Sequence, residues 1–136
     1  MNFSKTASYS LTILGYMASN IEESMSAAYL HRELAIPYPY LRRILTDLSK
    51  SGFIHSSRGR RGGFVFSKPI EEIYLSDIID STDGMDSLNK CIMGFTECPF
   101  NARCAMHDLW ASAREGIIQA LKKTSLKDVI MKEHKT

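Results

Sequence analysis

Three cysteines and a histidine fall in one short stretch, Cys91-x6-Cys98-x5-Cys104-x2-His107, and the chain contains no other cysteine. Three soft thiolates and an imidazole make a complete four-ligand set for an iron-sulfur cluster, and the same atoms could close a Cys3His zinc site. The two wide gaps are unlike the tight Cys-x2-Cys knuckles of structural zinc. Replacing one thiolate by histidine makes a cluster site less negative, raises its potential and adds a group that can protonate. Cys104 and His107 are three residues apart at a helix start and so share a face, while Cys91 and Cys98 approach from a loop. Alternatively, His107 is a surface residue and the three cysteines bind alone. An odd cysteine count argues against a closed disulfide framework. A thiol enzyme using Cys104 as nucleophile and His107 as base is the remote alternative, since no third group or phosphate loop accompanies the pair.

A second constellation carries positive charge. Arg58, Arg60 and Arg61 alternate with glycines in Arg58-Gly59-Arg60-Arg61-Gly62-Gly63. Packing gives three arginines little reason to sit there, whereas glycines permit close approach and arginine suits narrow grooves and phosphates. Upstream, Leu41, Ile44, Leu45 and Leu48 repeat at helical spacing. If those four face inward, Tyr40, Arg42, Arg43, Thr46, Asp47 and Lys50 project outward. Arginine forks can bond guanine edges or phosphates, and threonine can contact thymine methyls. Tyr38 and Tyr40 divide evenly between packing and DNA contact.

The elements that must position these residues are readable from periodicity. Ala7, Leu11, Leu14, Met17, Ala18 and Ile21 predict a helix from Ser4 to about Asn20. Ser26 caps a short helix to about Leu34, Ala35-Ile36-Pro37 interrupts it, and Pro39 suits the first turn of the next, which Gly52 ends. Two short helices around a tight turn make a helix-turn-helix. Phe53 to Ser57 and Phe64 to Ser67 are β-prone runs around the glycine-rich tip, hence a hairpin in the place of a wing. A short helix is expected from Ser76 to about Ser81, then an irregular stretch from Asp83-Gly84 that holds the cysteines. From Ala105 to about Lys122 runs the longest apolar stripe, Met106, Leu109, Trp110, Ala113, Ile117, Ala120 and Leu121. That stripe exceeds what so small a domain can cover, which makes it a candidate dimerisation helix. Ser125-x-x-Asp128 resembles a capping box opening a last helix through Met131.

The bounds agree. At 136 residues and 44% hydrophobic, 24% charged, the composition is that of one globular domain with an appendage. No stretch is long and apolar enough to span a bilayer, and the N-terminus lacks the features of an export signal, so a reducing, cytoplasmic setting without membrane contact is expected. Net charge is +2, but residues 1–68 carry nine Lys/Arg against four Asp/Glu, and residues 69–136 carry eight against eleven. The first half is the one suited to a polyanion. The expected fold is mainly α with a small β wing: a winged helix-turn-helix DNA-binding domain over 1–83 (wing about 53–68), a ligand loop over 84–104, and a long C-terminal dimerisation helix with a final short helix over 105–136.

Taken together, Tyr40-Leu41 with Ile44-Leu45, Leu48 and Gly52, then Arg58-Gly59-x-x-Gly62-Gly63, then Leu75-Ser76-Asp77-Ile78-Ile79, and three cysteines before a long helix, resemble the winged-helix regulators that include IscR, NsrR and RirA. The resemblance implies a homodimeric transcription regulator, a repressor in the main, that binds palindromic double-stranded promoter DNA. It further implies an iron-sulfur cluster near the dimer helix that alters DNA affinity. Cys104-x2-His107 before Leu109-Trp110 looks like the IscR branch, which implies a 2Fe-2S cluster on Cys91, Cys98, Cys104 and His107. Members that use a first-helix carboxylate as fourth ligand fit less well, because the first acidic residue is Glu22. Two features depart from the IscR pattern: the first cysteine gap is one residue longer, and Arg42 stands where an acidic base-reading residue would sit.

Overall fold

A computed structural model describes residues 3–58, 62–89, 93, 99 and 104–131, with backbone alone for 87, 89 and 131. The order of elements is α1 (Lys5–Ser19), α2 (Ala27–Leu34), α3 (Tyr38–Lys50), β1 (Ile54–Ser57), β2 (Gly63–Phe66), a 3-10 turn (Ile70–Glu72), α4 (Leu75–Thr82), a second 3-10 turn (Met85–Asn89), α5 (Met106–Lys123) and α6 (Leu126–Met131).

Helix α1 begins where a cap can form: the Ser4 hydroxyl accepts the Ala7 N–H at 3.0 Å. It buries Ala7, Ser10, Ile13, Leu14, Met17 and Ala18. Ile21 does not continue the stripe, because the helix ends at Ser19 and Ile21 is half exposed. Ser26 caps α2 by accepting the Tyr29 N–H at 3.0 Å. That helix stops at Ala35, whose φ of 55° is left-handed, a conformation that ends the i to i−4 ladder. Helix α3 buries Leu41, Ile44, Leu45 and Leu48, the four positions its spacing singles out. Each such side chain removed from water contributes roughly 1.5–3 kcal/mol, so this one face is sufficient to seat the helix.

The strands β1 and β2 pair antiparallel, Ile54 opposite Phe66 and Ser57 opposite Gly63. Periodicity could not reveal the third participant: Met25, between α1 and α2, exchanges both backbone hydrogen bonds with Phe64, at 3.2 and 2.8 Å. A Cβ on Gly63 would lie 2.5 Å from the Met25 carbonyl carbon, so only glycine fits this approach. The chain then closes on itself. Leu75 N–H bonds the Thr124 carbonyl and Leu126 N–H bonds that of Ile73, both at 2.9 Å, which brings α6 back against α1. The Ser125–Asp128 capping box forms reciprocally, at 3.0 and 3.1 Å. Leu126 is buried in the same cluster as Leu14 and Ile44, so the last helix shares the core of the N-terminal elements.

Helix α5 is different. It is the longest element and buries none of its residues. Leu109 is 66% exposed, and Met106 and Ile117 are also exposed. None of the helices among the described residues is long and apolar enough to cross a membrane.

Candidate nucleic-acid interface and ligand site

With its buried face settled, α3 presents Tyr38, Arg42, Arg43 and Thr46 to solvent. The Arg42 guanidinium lies 5.9 Å from the centroid of the Tyr38 ring one turn earlier, which steadies both for work at the surface. Thr46 donates its hydroxyl to the Arg42 carbonyl at 3.0 Å, leaving its methyl and lone pairs outward.

Tyr40 does not project outward as the other polar positions do. Its ring meets Tyr9 edge-on, with centroids 5.5 Å apart, and its hydroxyl shares a hydrogen bond of 2.5 Å with Thr6. It packs against the core and ties α3 to α1. Lone-helix geometry missed this because the partners are 34 residues away in sequence.

At the wing, Arg58 is exposed where β1 ends, and Arg60 and Arg61 lie outside the described residues. The base of the wing is pinned from two sides. His55 Nδ1 lies 2.7 Å from the Ser67 hydroxyl, and the Lys68 ammonium sits 5.4 Å from the Phe53 ring centroid. Arg42, Arg43 and Arg58 thus stand on α3 and on the hairpin directly after it, with Lys68 closing that hairpin's base.

Of the four candidate sulfur and imidazole donors, Cys104 and His107 are described. Cys104 is a free, half-buried thiol immediately before α5, and its carbonyl accepts the His107 N–H at 3.0 Å in the first turn. His107 is exposed. Cys91 and Cys98 lie outside the described residues. A reduced thiol and an accessible imidazole within one turn are donors that an iron-sulfur cluster or zinc accepts. Helix α1 contains no acidic residue, so it offers no carboxylate as a fourth ligand.

A set of contacts links the two sites. Helix α5 packs on α4, α4 on α1 and α1 on α3. At the α4–α1 junction Asp83 clasps Ser4: one carboxylate oxygen accepts the Ser4 N–H at 2.9 Å and the other its hydroxyl. A carboxylate there also suits the positive end of α1.

Comparison with known proteins places this arrangement. A family model described as "Rrf2: Iron-dependent Transcriptional regulator" matches residues 3–132. The chain is 27% identical to the HTH-type transcriptional regulator NsrR of Shouchella clausii, over 98% of this chain and 91% of the relative. It is 26% identical to the HTH-type transcriptional regulator IscR of Photorhabdus laumondii, over 96% and 79%. Among solved structures it is similar to CymR, the global cysteine regulator of B. subtilis, with a TM-score of 0.78, 25% identity and 96% of each chain covered.

Proposed function

The chain belongs to the Rrf2 family of transcriptional regulators, and from that premise we propose that it is a cytoplasmic homodimer whose grip on promoter DNA is set by an iron-sulfur cluster. Family membership makes it a DNA-binding regulator rather than an enzyme. The finer reading, a 2Fe-2S cluster on Cys91, Cys98, Cys104 and His107 and repression at a palindromic site, rests on the donor set.

The observation that carries it is Cys104 with His107 at the start of α5, which among the described helices is the one without a fully buried residue. When bound, a cluster supplies four-point anchoring and a redox-sensitive charge at that turn. The protein's own residues do the rest. Cys104 and His107 hold the start of α5, and the exposed Leu109 and Ile117 are covered by the same face of a second copy. Helices α4 and α1, joined through Asp83 and Ser4, relay a shift of α5 to α3. Arg42, Arg43 and Thr46 then read the major groove, with Tyr38 beside them, while Arg58, Arg60 and Arg61 take phosphates or the minor groove. Tyr40 contributes by seating α3 rather than by reaching DNA. Two recognition helices must meet half-sites about one helical turn apart, so a small change at the dimer changes affinity greatly.

A second reading has its own support. Cys104 is a free thiol, and the chain is similar to CymR, a global cysteine regulator; together these support a regulator whose thiols act without a cluster. Visible absorbance of anaerobically purified protein separates the readings. A sulfur-to-iron charge-transfer band that bleaches with nitric oxide or oxygen supports the cluster. Colourless protein that still binds promoter DNA excludes it, and zinc found by elemental analysis of such a sample assigns the set to structural metal.

A further inference from the structure

Helix α3 starts without a side-chain cap. Its N-cap is Pro37, whose carbonyl accepts the Leu41 N–H at 2.8 Å but whose ring offers no acceptor to the first turn. The orientation of that turn must be fixed by neighbours. Ile36, 2% exposed, anchors the backbone just before it. The other anchor is His31, in the last turn of α2. Its Nδ1 lies 2.6 Å from the Ile36 carbonyl oxygen. The acceptor is a carbonyl, so Nδ1 carries the proton in either charge state of the ring. The same ring meets Tyr38 edge-on, with centroids 5.4 Å apart at 68°, and Tyr38 in turn carries the Arg42 guanidinium at 5.9 Å. His31 is itself exposed, so it contributes little by burial. One of its contacts holds the turn before α3 and the other meets Tyr38 on the solvent face of α3. We infer that His31 is a positioning residue for DNA recognition, locking the helix-turn-helix turn through the Ile36 carbonyl and aiming Arg42 through Tyr38.

The inference rests on the DNA-reading role given to α3 above. Its test uses the full-length chain and the duplex that the native protein enriches from a randomised pool, with a scrambled duplex as control. His31→Asn keeps a donor at the same number of bonds from the backbone but loses the ring; His31→Phe keeps the ring and loses the donor; His31→Ala loses both. His31→Ala is expected to weaken the enriched duplex by about tenfold, the upper range for one hydrogen bond, with the scrambled duplex unchanged. The Asn and Phe variants fall between, and both remain informative should His31→Ala not fold. Combined with Arg42→Ala, His31→Ala adds little further loss, because the two act in series. Native-like affinity in all three variants, or losses that add fully with Arg42→Ala, overturns the inference. Failure of the native protein to enrich any duplex overturns it together with the DNA-reading role, and is thereby distinct from failure of His31 alone.

Discussion

Tyr16 and Tyr29 place their hydroxyls 3.3 Å apart between α1 and α2. That hydrogen bond, then burial and the nearby Glu33 and Glu23, pushes the Tyr16 phenol up to about 12 from 10.0. A folded-state pKa above the unfolded one stabilises the fold fully below pH 10, and that stabilisation is lost as pH rises through about 12. Phenolate absorbance should show Tyr16 ionising near pH 12, and Tyr29→Phe should bring it back toward 10. A Tyr16 midpoint near 10 in the native protein would contradict the contact. At this scale the sequence reveals side chains whose partners are close in the chain, such as Ser26 with Tyr29 or Ser125 with Asp128. It conceals Tyr40, His31 and Asp83, whose partners are set by tertiary packing or by the path of a turn.

The wing shows how an element depends on a residue outside it. Periodicity exposes β1 and β2 because alternation and glycines are local signals. It does not expose Met25, whose bridge to Phe64 completes the small sheet. Gly63→Ala should place a methyl against the Met25 backbone and destabilise the protein by about 1–3 kcal/mol, measurable by urea titration. Its DNA affinity should fall while its cluster spectrum is unchanged. Wild-type stability in that variant would mean that the approach of Met25 is not tight. Helix boundaries were legible to within a residue or two wherever a cap or proline marks them, as at Ser4, Ser26 and Pro37. The stripe of α1 was less so: Ile13 is buried where the expected set omits it, and Ile21 is exposed because the chain turns away after Ser19. The two 3-10 turns carry too few residues to make a period.

For the whole molecule, an 18-residue helix with no fully buried residue presents Met106, Leu109 and Ile117 to solvent, the apolar face on which the proposed dimer rests. The length of the stripe makes α5 a candidate dimerisation helix in the sequence, since length and composition bound how much a small domain can cover. Replacing Leu109 and Ile117 together by glutamate should convert a dimer to a monomer in sedimentation analysis. With the second half-site no longer linked, DNA affinity should drop on the order of 10²-fold. An unchanged oligomeric state would move the dimer interface elsewhere.

In the proposed switch the cysteine-histidine set governs the arginine-bearing surface. Its most direct test is the dissociation constant for the enriched duplex at one fixed salt concentration, measured for anaerobically reconstituted and for chelator-stripped protein, with Cys104→Ala treated identically. The two native forms should differ at least about tenfold, a coupling of ordinary allosteric size, and the variant should show no difference. Equal affinity of the loaded and stripped native protein would contradict it.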